Sequence, residues 1–157
     1  MTSLAVGTST AVAQDHTRVA FVQAMKQLTA SAGSGEPFVV LRGVKTSDDH
    51  SGDTTYKLKL FIPIFAECSV HNDSHVSPYV ICDTNENKDM ATVKRRYNEM
   101  VSDLKPLLKN HDPRTSDPWQ GALGCQRPGC LHAFTVQGSE LLVELRTTSI
   151  HMELGNF

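Results

Sequence analysis

Residues 56–65, YKLKLFIPIF, constrain this chain more than any other stretch. At the two-residue period of a strand, Tyr56, Leu58, Leu60, Ile62 and Ile64 share one face, and Lys57, Lys59, Phe61, Pro63 and Phe65 share the other. The first face is apolar throughout and belongs in a core. The second begins with lysines and ends with aromatic residues, so its far end requires a cover: a helix, a second sheet or another copy of the chain. Tyr56, Phe61 and Phe65 are therefore expected at an interface. Pro63 donates no ladder hydrogen bond, which puts that end of the strand at a sheet edge or a bulge.

The surrounding pattern supplies two helices and further strands. Residues 1–14 are small and uncharged, too light to pack by themselves; they read as a flexible arm, or as one that orders only against a neighbouring subunit. Residues 15–157 then form a single domain. Asp15 is a fitting N-cap for a helix over 15–30, with Val19, Phe21, Val22, Met25 and Leu28 at helical spacing. After Pro37, residues 38–44 read as a strand that pairs with 56–65 across a polar loop. Residues 68–77 are polar and read as a loop, and 78–83 as a short strand. Met90, Val93, Tyr97, Met100, Leu104 and Leu107 recur at steps of three and four, widened by Val101 and Leu108. This is an amphipathic helix lying on a sheet, with Asn87 or Asp89 at its start and Pro106 bending it toward solvent. Residues 110–124 carry two Asp-Pro steps and Trp119, the sole tryptophan, and read as a long loop pinned by that ring. Residues 131–136 and 140–150, about a turn at Gln137 and Gly138, make a second hairpin. The sum is an α+β fold: a single domain with a mainly antiparallel sheet of about five strands packed with two helices, and no internal repeat.

Length and charge narrow the function. A chain of 157 residues supports one core, and a net charge of −2 supplies no global field for coating nucleic acid, so such binding would need a local basic patch. No run approaches the length of a membrane span, and the N-terminus lacks the basic and continuous apolar segments of a signal peptide. The expected setting is the cytoplasm or an intracellular assembly. Asn72, Asp73 and Ser74 match a glycosylation acceptor, which in that setting marks only an exposed loop.

Four cysteines, at 68, 82, 125 and 130, are then expected as reduced thiols. A sharper alternative joins Cys68 and His71 with Cys125 and Cys130 as a tetrahedral zinc site, with His132 alongside. His71, Asp73 and His75 form a weaker metal set. No nucleophile-elbow, P-loop, dinucleotide or zinc-protease motif occurs. His71 and His132 could face each other as the acid and base of a phosphodiesterase, and a small metal-dependent hydrolase is a separate reading. Lys57 and Lys59, with Arg42 across the hairpin, form one basic group; Lys94, Arg95 and Arg96 form another, in which Arg96 can pair with Glu99. The leading expectation is a non-enzymatic, capsid-like structural protein acting through self-association. The alternative is a module that binds single-stranded nucleic acid through the basic sheet face, and the hydrolase comes third.

Overall fold

The structure, a computed structural model, describes residues 8–48, 51–108, 111–114 and 127–156, with only the backbone of 8–12 and 111–114. Among the described residues two helices, α1 (Thr8–Ala32) and α2 (Met90–Leu104), accompany eight strands: β1 (Arg42–Asp48), β2 (Thr54–Leu58), β3 (Phe65–Asn72), β4 (Tyr79–Thr84), β5 (His111–Arg114), β6 (Cys130–Val136), β7 (Ser139–Leu145) and β8 (Ile150–Gly155). The strands form one antiparallel sheet in the order β1-β2-β3-β4-β8-β7-β6-β5. Each helix thus precedes a four-strand meander, and the two meanders meet at β4 and β8. The topology repeats although no residue pattern does, because a meander needs only alternation and turns.

The inward rows of the sheet make the core. Val70, Val80, Leu154, Leu141 and Phe134 are successive register partners across five strands, and all are fully buried. Both helices close over this face. Asp89 caps α2 by accepting the Ala91 amide at 3.1 Å, and Val93, Tyr97, Met100, Val101 and Leu104 form its buried stripe. The Tyr97 hydroxyl donates to the Val143 carbonyl at 3.2 Å, fixing α2 on β7, and burial raises its phenol far above the ordinary range. Phe21, Ala24, Met25, Leu28 and Ala32 are the corresponding stripe of α1. The turn between β6 and β7 has positive φ at both Gln137 and Gly138, the twist that a two-residue hairpin requires.

Several expectations are corrected. The pattern over 56–65 is not one strand: β2 stops at Leu58, a turn follows, and Phe65 opens β3. The apolar alternation runs straight through that turn because Ile62 and Pro63 are buried within it, while Ile64 adopts a φ of 85° that β-branched residues rarely take. Residues 38–44 divide into a 3-10 turn (Val39–Leu41) and the start of β1. The supposed loop over 68–77 begins as β3, whose inward Cys68 and Val70 alternate with outward Glu67, Ser69 and His71. Residues 140–150 supply all of β7 but Ser139 and the first residue of β8, and among the described residues the sheet has eight strands and not five. Helix α2 ends at Leu104, so Pro106 follows the helix and does not bend it. Helix α1 starts at Thr8, inside the expected arm, and Arg18 ties it to Asp103 of α2; residues 1–7 lie outside the described residues. So does Trp119. No helix among the described residues is long and apolar enough to cross a membrane.

Candidate functional site

Cys68 and Cys82 face each other on the inner side of β3 and β4, with Cα atoms 4.1 Å apart, and their sulfurs are bonded. Cys130 is also disulfide-bonded, and the described residues contain no free cysteine. The expectation of reduced thiols is thereby corrected. The zinc set of Cys68, His71, Cys125 and Cys130 does not assemble either, since a disulfide sulfur is no thiolate ligand and His71 projects from the opposite face of the sheet to Cys68. Cys125 lies outside the described residues, among which no group of three metal-ligating side chains occurs.

The outer face, away from the helices, carries two polar clusters. In the first, the Ser69 hydroxyl is 2.8 Å from Nε2 of His71, and the Thr55 hydroxyl is 3.4 Å from Nδ1. The spacing follows from the sheet: Ser69 and His71 are two apart on β3, and Thr55 is the register partner of His71 on β2. Tyr79, the partner of His71 on β4, stacks on the imidazole with centroids 5.0 Å apart and planes 10° from parallel. Burial holds His71 below the ordinary histidine range, opposed in part by the carboxylate of Glu153. Lys57 and Ile81 are the partners of Ser69 on its two sides.

The second cluster spans the seam between the meanders. His151 places Nδ1 2.8 Å from Asp83 on β4 and Nε2 3.0 Å from Glu153 on its own strand. Arg146 reaches Glu144 at 2.9 Å and Asp83 at 3.5 Å. His132 takes no part in either cluster: it is buried on the inner side against Phe134, so the envisaged pair of His71 and His132 is separated by the sheet itself. His75 and Asp73 meet only through a local turn, with the His75 amide on the Asp73 carboxylate at 2.7 Å.

A third region is the corner where β1 meets the turn after β2. Phe61 is 78% exposed, Val40 and Val44 are each 74% exposed, and Val39 is exposed beside them. The Lys59 amide donates to the Leu41 carbonyl at 2.8 Å, which holds the turn against the segment leading into β1. Arg42, Val44, Lys57 and Lys59 line one shallow depression here, and Gly43 belongs to it because a Cβ would stand 2.8 Å from the Lys57 carbonyl oxygen. Arg42 and Lys57 nevertheless leave the sheet on opposite sides, which corrects their placement on one face. Arg42 lies over the ring of Tyr56 at 5.2 Å and donates to Asn72 at 3.2 Å. Tyr56 is thus half-covered from within the chain, and Phe65, at 6% exposure, is core. Of the three expected interface residues, Phe61 alone stands free on the surface.

Arg95 and Arg96 share a second depression with Arg18 and Ile64, and Lys94 lines its neighbour. Glu99 pairs with Arg95 at 3.1 Å and not with Arg96. No protein-family model, curated protein or solved structure matches the chain. Ser69 had a sequence signal, Ser-x-His at strand spacing, which was hidden because the segment reads as a loop. The exposure of Val40 and Val44 had none, since valines in a strand ordinarily indicate burial.

Proposed function

We propose that the chain is a self-associating assembly protein whose contact surface is the corner of Val40, Val44 and Phe61. The observation that carries this reading is the exposure of Val39, Val40, Val44 and Phe61 on two segments that the Lys59–Leu41 backbone bond joins; among the described large hydrophobic residues only Val19 and Val76 are exposed elsewhere. Exposed apolar side chains on adjoining segments of a folded surface favour a contact site. Lys45 is paired with Asp48 and Arg42 is occupied by Tyr56 and Asn72, so Lys57 and Lys59 form a cationic rim around an apolar centre, the usual anatomy of an interface. Two register shifts blunt the β1 edge, and contact therefore rests on side chains more than on a continued ladder. Three anchors from each copy amount to roughly 10 kcal/mol gross before the cost of association, which favours a concentration-dependent complex. The disulfides suit an oxidising compartment.

A second reading, binding of single-stranded nucleic acid, is favoured by Arg42, Lys57 and Lys59 lining one depression beside an exposed aromatic ring. One set of measurements separates the two. Sedimentation over a wide concentration range should show wild-type mass rising above that of one chain and Phe61→Asp remaining a monomer. A wild-type monomer throughout would defeat the assembly reading. If labelled RNA then binds at low salt, with a slope near −0.7 per contact, and binding is lost on exchanging Lys57 and Lys59 for Glu, the second reading takes its place.

A further inference from the structure

We infer that Ser69 is a nucleophile activated by His71, and that this outer-face site takes small acyl esters. The assignment rests on Ser69, His71 and Thr55, none of which lines the corner; Lys57 is the one residue the two regions share. A serine nucleophile is recognised by a base within hydrogen-bond reach and a third group that orients the base. Ser69 Oγ stands 2.8 Å from His71 Nε2, and Thr55 Oγ1 stands 3.4 Å from Nδ1. With the proton on Nδ1 directed at Thr55, Nε2 presents its lone pair to the Ser69 hydroxyl. The stacked Tyr79 fixes the plane of the imidazole.

The groups facing His71 are Thr55 from β2, Ser69 on β3, Tyr79 from β4 and, at longer range, Glu153 from β8. Desolvation outweighs Glu153, which keeps the ring a free base at neutral pH. The flanks of Ser69 differ in chemistry. Lys57 on one side offers a positive charge to the oxyanion of a tetrahedral intermediate, and Ile81 on the other offers an apolar rest for the acyl group. In the acylation step Ser69 Oγ bonds to the acyl carbon, its proton passes to Nε2, and the ester's alcohol leaves with that proton. Water, deprotonated by the same nitrogen, then attacks the acyl-serine and releases the carboxylic acid. No oxidant, reductant or metal is needed.

The test uses the full, oxidised chain with a fluorophosphonate probe, in which the serine oxygen bonds to phosphorus and fluoride leaves, and with p-nitrophenyl acetate. Intact mass and peptide mapping should find one label, at Ser69, with none in Ser69→Ala. His71→Ala should slow labelling at least ~100-fold, the scale of a lost general base. Thr55→Val tests a positioning residue: its labelling should fall and the pH midpoint of labelling should move, whereas a purely structural change would lower the melting temperature and leave that midpoint in place. Circular dichroism confirms that each variant is folded, and Ser69→Ala, a small change at a half-buried surface position, keeps the test valid if His71→Ala is not. Acetyl groups found on Lys57 or His71 and not on Ser69, or labelling of Ser69 unaffected by loss of His71, would overturn the assignment.

Discussion

Phe65→Asp is expected to lower the melting temperature by at least ~10 °C, whereas Phe61→Asp, at a concentration where wild type is monomeric, should leave its melting curve within ~1 °C of wild type. The two phenylalanines are four residues apart, and a strand pattern puts them on the same face. In the fold they part. Phe65 opens β3 at 6% exposure within the core cluster, with Ile62 and Leu58 nearby in sequence and also buried. An aspartate there forfeits about 3 kcal/mol of transfer energy and adds a carboxylate that finds no partner in an apolar setting, so the total should exceed about 4 kcal/mol. Phe61 is 78% exposed and has little burial to lose. Thermal melts by circular dichroism read the difference directly. If both variants melt together, or if Phe65→Asp is the more stable one, the turn between β2 and β3 is wrongly placed.

The same pair shows which parts of the fold are legible in the sequence. Helix α2 is, because its stripe of Val93, Tyr97, Met100, Val101 and Leu104 is its buried face, so burial and periodicity coincide. The hairpin of β6 and β7 is, because Gln137 and Gly138 are followed at once by renewed alternation. The turn after Leu58 is not. It contains no Gly or Asn, its Ile62 and Pro63 are buried as strand residues would be, and the reversal is made by Ile64 at a positive φ that sequence reasoning assigns to glycine. Once that turn is missed, β3 falls in the wrong register of the chain, and its outward Ser69 and His71 look like polar loop residues. The polar site was thus lost through one backbone conformation and not through any lack of chemistry in the side chains.

The α1 helix was missed at its start for a different reason. Residues 13–20 are all exposed, so no burial periodicity marks them, and the helix is carried there by the stripe that begins at Phe21 and by the pairing of Arg18 with Asp103. Helix formation is cooperative and extends from a packed segment into one that would not form alone.

Breaking the disulfide between Cys68 and Cys82 should lower the melting temperature by about 10 °C. The bond joins residues 14 apart in sequence, and a loop of that size corresponds to about 3 kcal/mol of denatured-state constraint; at this chain length each kcal/mol moves the midpoint by about 2–4 °C. Cys82 is fully buried, so replacing both cysteines by Ala also leaves unfilled space beside Met152, its register partner on β8, and the double variant should fall at the larger end of that shift. Full reduction should lower the midpoint further than the double variant, since it also opens the disulfide at Cys130. The consequence reaches the outer face. Ser69 and His71 project from the residues on either side of Val70, one and three positions beyond Cys68, and Tyr79 faces His71 from the strand that the disulfide clamps. Reduction at a temperature where the protein remains folded should therefore slow probe labelling of Ser69 as β3 and β4 gain freedom to slide and the imidazole loses its stacked support. Melting followed with and without reductant, with thiol counting by mass spectrometry, checks the first part; labelling rates under the same two conditions check the second. Native protein that already counts four free thiols, or a midpoint indifferent to reductant, would rule out the clamp.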